Sequence, residues 1–164
     1  MTKDELIVQS PEDIRLQKYR FSLLASGSAM MLFALWTVLR SIVQIEAQLN
    51  NQGDMKTLKP LLIAFIALSG VELVLKFYVG LSARLEGLGR TRRRPYLMLG
   101  IIIAILSVVF VVYMLVELPA DIRMNGMFSS IINLVVEATA LYASLDLVIS
   151  ARRVRKLEKE MGRV

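Results

Sequence analysis

The sequence predicts an all-α fold: a polytopic membrane protein whose four transmembrane helices form an antiparallel up-down bundle, with both termini in the cytoplasm. Two observations predict it. Four apolar stretches are each long enough for a helix to cross a hydrocarbon core of about 30 Å, and the cationic residues crowd into the segments expected on one side. The spans are expected at about 21–43, 60–82, 95–116 and 128–149.

Composition supports this fold class and limits the number of domains. Hydrophobic residues make up 55% of the 164 residues, and the mean hydropathy of +0.57 is high for a soluble protein. The four helices use most of the chain, so we expect residues 1–164 to form a single transmembrane domain with a basic tail at 150–164. The first apolar stretch is too long for a signal peptide, so we expect it to remain as a helix.

The positions of the charges predict the orientation. Most of the 20 Lys and Arg residues lie before the first span, between the second and third, or after the fourth. Because cationic loops stay in the cytoplasm during insertion, both termini are expected there. These clusters lie at membrane boundaries without interleaved aromatics, which favours contact with anionic phospholipid headgroups over nucleic acid. The expected lipid contacts are Arg90, Arg92, Arg93, Arg94, Arg152, Arg153 and Arg155.

Each helix has local start or stop signals. Ser10 followed by Pro11 predicts an N-cap and a first helical residue, and this helix should run to near Leu49. The second should have Pro60 in its first turn and end at Gly87 or Gly89. Signals for the other two are as follows: Pro95 opens the third helix and Pro119 closes it, Asn125-Gly126 is a turn, and the fourth helix ends near Met161 before Gly162.

The chain resembles small, uncharacterised four-helix proteins of bacterial inner membranes. The similarity includes the exit from the second helix, Gly80-Leu81-Ser82-Ala83-Arg84, and the entry to the third, Leu99-Gly100-Ile101-Ile102-Ile103. It extends over the whole chain but concerns architecture alone. It therefore implies a fold and a location, and no activity or site residue.

Polar residues inside the predicted spans are the candidate functional residues, because each charge costs about 2.5 to 3.5 kcal/mol at a helix centre. They are Arg40 in the first span, Glu72 and Lys76 in the second, and Asn133 and Glu137 in the fourth. Asp146 lies on a different face of the fourth helix from Glu137, so we expect it to reach the headgroups or to pair with another helix. The third span has no acidic or basic residue between Tyr96 and Val116 and should face mostly lipid.

Two hypotheses explain these residues. In the first, Glu72 and Lys76 form an i,i+4 ion pair and Glu137 is protonated or bonded to Asn133 or Arg40, so that the polar residues hold the bundle together. In the second, Glu72 and Glu137 line a hydrated path for a cation or proton. Small residues four apart, Ala25 and Ala29, Gly100 and Ala104, and Ala140 and Ser144, would allow close helix approach.

The composition also excludes several chemistries. The sequence contains no His and no Cys, which excludes histidine-ligated haem, thiolate metal sites and nucleophiles that depend on His. We expect no enzyme, cofactor or metal. The function expected first is a small oligomeric transport or channel subunit for an ion, a proton or a solute. The alternative is a non-catalytic interaction, regulatory or immunity protein, with a second copy or another membrane protein as its partner.

Overall fold

Four long α-helices make up nearly all of the residues that the computed structural model describes, which are 10–51, 55–90 and 95–162. They are α1 (Pro11–Asn51), α2 (Met55–Gly87), α3 (Pro95–Asn125) and α4 (Met127–Glu160). Each contains a segment long and apolar enough to cross a membrane. We call the end of the molecule where α1 begins and α4 ends the inner end, and the opposite end the outer end.

The predicted signals at the start of α1 and at the end of α2 are confirmed. Asp13 N donates to Ser10 Oγ at 3.2 Å, so Ser10 caps α1 and Pro11 is its first residue. After α2, Gly89 has φ 72°, Gly89 N donates to Glu86 O, and Arg90 N donates to Leu85 O. These two bonds form a Schellman motif, which needs a left-handed residue that glycine adopts without strain.

The turn between α3 and α4 is also confirmed. Gly126, with φ 83°, is the single residue that separates them. Its amide donates to Ile122 O at the end of α3, and its carbonyl accepts from Ser130 N in the first turn of α4. At the other end of α4, Gly162 N donates to Lys159 O, as expected for the predicted stop.

Two predictions based on proline were wrong. Helix α2 begins at Met55, so Pro60 lies inside it, and α3 continues past Pro119 to Asn125. A proline removes one backbone hydrogen bond and strains the preceding turn, but its φ is helical. At both positions, the cost of one lost hydrogen bond is smaller than the stabilisation gained by continuing the helix. Prolines are commonly tolerated in this way inside transmembrane helices.

Helix α1 lies between α2 and α4, α3 packs against α4, and α2 and α3 touch little. Contacts show that packed neighbours are antiparallel. Gly27 lies against Gly80 on α2, whereas Gly87 lies against Arg20. Arg20 pairs with Glu158 near the end of α4, whereas Arg40 pairs with Glu137 nearer its start.

Buried side chains concentrate in the inner half of the molecule. The main apolar cluster consists of Leu23, Met30, Val79, Ala83, Tyr96, Ile103, Leu147, Val148 and Ala151. Toward the outer end, the described side chains are mostly exposed, including Leu39, Ile66, Val109 and Val135, with Ser130 as a buried exception. The outer half therefore presents apolar side chains outward on all four helices, which suits lipid or another membrane helix.

Glycines set the closest helix approach, between α1 and α2. A Cβ on Gly80 would lie 2.7 Å from the carbonyl oxygen of Gly27, and a Cβ on Gly27 would lie 2.7 Å from that of Gly80. Of the small pairs predicted from sequence, Gly100 with Ala104 and Ala140 with Ser144 are buried, whereas Ala25 is exposed. The Gly27–Gly80 contact was not among those pairs, because its two residues lie on different helices.

Candidate functional site

The first polar group, which we call the outer charge cluster, consists of Arg40, Glu137, Glu72, Lys76 and Thr37. Arg40 Nη1 donates to Glu137 Oε1 at 2.6 Å and joins α1 to α4. The Arg40 guanidinium also lies 5.3 Å from the ring centre of Phe110 on α3, a cation–π distance. Three helices thus meet at one arginine.

The second half of this cluster joins α2 to α1. Lys76 Nζ lies 2.5 Å from Glu72 Oε1 and donates to Thr37 Oγ1 at 3.4 Å. Lys76 is buried, whereas the side chain of Glu72 is 49% exposed on the surface of α2. The i,i+4 pair predicted from sequence is therefore present, with its acid on the outward side.

Asp146 on α4 forms a second polar group with serines. Its Oδ2 accepts hydrogen bonds from Ser22 Oγ at 2.7 Å and from Ser26 Oγ, both on α1. Ser150 Oγ, one turn along α4, donates to Ser22 Oγ at 3.1 Å. Of the two alternatives expected for Asp146, the structure shows the contact with another helix.

The third group, the inner ionic layer, consists of Arg20, Glu86, Arg155, Glu158 and Tyr96. Arg155 donates from Nε and Nη2 to the two carboxylate oxygens of Glu86, each at 2.9 Å, and its guanidinium lies 5.5 Å from the ring centre of Tyr96. Arg20 donates to Glu158 at 2.7 Å. The layer ties all four helices together at the inner end.

Among the residues that the structure describes, no hydrogen-bond partner is found for two buried polar atoms of this layer, Arg20 Nε and Tyr96 Oη. The Tyr96 side chain is fully buried and lies beside the bidentate Glu86–Arg155 pair, whose donors and acceptors are directed at each other. An unpaired buried hydroxyl is costly. The contact that the structure shows for Tyr96 in this layer is that of its ring with the Arg155 guanidinium.

The polar residues predicted from sequence separate into two pairs. Arg40 meets Glu137, and Glu72 meets Lys76; Glu137 takes Arg40 as its partner rather than Asn133, which is half-buried one turn away on α4. The two pairs are linked through α1, because Thr37 and Arg40 lie one turn apart. Along α3, Phe110 lies about 21 Å from Tyr96 of the inner layer at 1.5 Å per residue.

The predicted lipid-contacting arginines differ in their surroundings. Arg90 and Arg152 are exposed, Arg153 is exposed and lies over Tyr19, and Arg155 is half-buried in the inner ionic layer. Arg92, Arg93 and Arg94 lie outside the described residues. Contact of these residues with lipid stays a prediction.

Sequence reasoning missed the inner ionic layer. Glu86 and Glu158 are acids within strongly basic segments, and both are buried. That placement was the available signal, because an acid surrounded by arginines at the end of an apolar helix can serve as their internal partner. Which arginine it binds depends on the neighbouring helix.

By length and composition, the four helices indicate a multi-pass integral membrane protein. Within the described part of the chain, no group of three or more acidic residues is placed to hold a metal ion. No family model matches the chain, and neither a curated protein nor a solved structure is significantly similar to it.

Proposed function

We propose that this protein is a multi-pass protein of the bacterial cytoplasmic (inner) membrane, with both termini in the cytoplasm, and that it acts there as a non-catalytic interaction or regulatory protein. One observation carries the proposal. Each described acidic or basic residue within the predicted spans is bound inside the chain: Arg40 with Glu137, Glu72 with Lys76, and Asp146 with serines. The charges then serve the packing of the helices.

Charge balance supports this role. The outer charge cluster contains two cations and two carboxylates in direct contact, so it has no excess negative charge with which to attract a cation. If Glu137 released Arg40 to bind a travelling ion, the guanidinium would be left unpaired among apolar side chains. Breaking a buried pair costs about 3 to 5 kcal/mol, which opposes a transport cycle through this site.

The exposed outer half supplies the surface for interaction. Its apolar side chains project outward, and the half-exposed carboxylate of Glu72 lies among them on α2. An exposed carboxylate at such a position can accept a hydrogen bond from a second helix, and polar contacts between helices stabilise their association in membranes. The partner is a second copy of the chain or another membrane protein.

We expect a photoreactive amino acid in place of Val71 on α2 to cross-link to protein in native membranes. Val71 is exposed and precedes Glu72, whereas Leu147 is fully buried and provides the control position. Mass spectrometry of the adducts would identify either this chain or a second membrane protein at Val71, and intramolecular products at Leu147. The cross-link should weaken when Glu72→Gln is added.

Two results together would contradict the proposal in favour of transport. One is adducts with lipid alone at Val71. The other is proton or cation flux in liposomes that Glu72→Gln or Glu137→Gln abolishes. Glu72 is the first residue to change in a test of transport. Among the described acidic residues within the predicted spans, its carboxylate is the most exposed and so the most accessible to an ion from outside the chain.

The orientation has its own test, which the natural absence of cysteine makes simple. We expect a membrane-impermeant maleimide to label Met127→Cys, at the outer end of α4, in intact cells. Lys159→Cys, at the inner end of the same helix, should react only after permeabilisation. Both positions are exposed. The reverse pattern would show that the termini face outward.

A further inference from the structure

A basic surface groove lies at the inner end, between the start of α1 and the end of α4. Its volume is about 440 Å³, and it is lined by Arg15, Tyr19, Arg153, Lys156, Leu157 and Glu160. Volumes of this order accommodate small ligands. The groove is separate from the outer charge cluster and from the inner ionic layer.

Among the described residues that line the groove, positive charge is in excess. Arg15, Arg153 and Lys156 face one carboxylate, that of Glu160, which lies 3.8 Å from Lys156 in an exposed pair. Exposed pairs at this distance are weak, so the Lys156 ammonium can turn to another anion. The cations of the groove therefore outnumber its acid.

Tyr19 orients one of these cations. Arg153 Nη1 donates to Tyr19 Oη at 2.5 Å, and the guanidinium lies 5.2 Å from the centre of the same ring. A guanidinium held in this way has nitrogens left to donate to a phosphate, for which its planar geometry is suited. Tyr19 is also the kind of residue that occupies membrane interfaces.

We propose that this groove binds the headgroup phosphate of an anionic phospholipid, a site that rests on the proposed membrane orientation. Apolar surface continues from it toward the outer end. Ile149, one turn from Arg153 on the same face of α4, is 52% exposed, and Tyr142 is exposed two turns further on. Acyl chains can lie along these side chains while the phosphate meets Arg15, Arg153 and Lys156. A soluble phosphate would gain nothing from this apolar strip.

The test is a lipid titration of the full chain in detergent, followed by native mass spectrometry. Phosphatidylglycerol should bind at least ten times more tightly than phosphatidylcholine. The double variant Arg15→Gln/Arg153→Gln should weaken phosphatidylglycerol binding about 30-fold, since each cation near an anionic headgroup contributes a factor of about five. Lys156→Gln, at an exposed position, should weaken it about five-fold without affecting packing.

The matched control is Arg152→Gln/Lys159→Gln, which removes the same charge from exposed positions outside the groove. It should change phosphatidylglycerol binding less than two-fold. Equal weakening in both double variants would overturn the site in favour of diffuse attraction. Competition by millimolar inorganic phosphate would instead identify a soluble-anion site. If either of these two results were obtained while maleimide labelling and cross-linking gave the expected outcome, the lipid site would be wrong and the proposed function would remain supported.

Discussion

Gly80→Leu should destabilise the protein by about 3 kcal/mol, because it inserts a side chain where the α1 and α2 backbones touch. The first added atom, Cβ, would lie 2.7 Å from the carbonyl oxygen of Gly27 and close to Met30 and Met31. A backbone oxygen cannot rotate away as a flexible side chain can. The helices must therefore move apart, which opens the cluster around Leu23, Met30 and Val79. Equilibrium unfolding in detergent or bicelles would measure the loss.

Gly70→Leu provides the control on the same helix. In the described part of the chain, apart from its two neighbours in sequence and the nearby backbone of α2, no atom lies within 4 Å of the position that its Cβ would take. We expect a change of at most about 0.5 kcal/mol, because a surface leucine also favours the helix. Gly27→Leu should reproduce the large loss from the other side of the contact. Similar stabilities for the Gly80 and Gly70 variants would contradict the close α1–α2 contact.

Glu86→Gln should destabilise the protein by about 2 to 3 kcal/mol, because it leaves the Arg155 guanidinium without its carboxylate. The Glu86 side chain is only 3% exposed and accepts both hydrogen bonds at 2.9 Å. The expected loss lies at or just below the lower end of the range for a broken buried pair, since the side chain of Arg155 is 29% exposed and can recover some hydration. The measurement is again the free energy of unfolding.

Glu160→Gln is the matched control, because it removes the same charge from the end of a helix in the same region. Its side chain is 55% exposed and lies 3.8 Å from Lys156, so the loss should stay below about 0.5 kcal/mol. The double variant Glu86→Leu/Arg155→Leu should recover much of the stability lost in Glu86→Gln, since it removes both charges of the pair and leaves neither without its partner. Equal losses in Glu86→Gln and Glu160→Gln would show that the inner ionic layer contributes no more than a surface pair.

The helix ends show what local chemistry can predict. Ser10 caps α1 with its own side chain, and Gly89 and Gly126 adopt positive φ where the chain leaves or enters a helix. These interactions involve residues a few positions apart, so their pattern is visible in sequence. Pro60 and Pro119 were misjudged, because whether a helix continues through a proline depends on the whole helix and its surroundings.

The charged residues show a similar division. The Glu72–Lys76 pair follows from helical spacing alone, and the structure confirms it. Arg40 was one of two partners expected for Glu137; spacing within α4 places Asn133 one turn from Glu137 but carries no information about Arg40 on α1. The bidentate pair of Glu86 with Arg155 was not anticipated, because its members come from helices that α1 separates in the packing order.

The sequence by itself determined the four apolar helices, most of their ends and the uneven placement of charge, because each depends on composition or on residues within a few turns. The tertiary structure decided which side chains meet: Gly27 with Gly80, Arg40 with Glu137, Asp146 with serines of α1, and the residues of the inner ionic layer. These contacts depend on the rotation and register of one helix against another. Rotation and register are set by packing over the whole length of each helix, which no local pattern encodes.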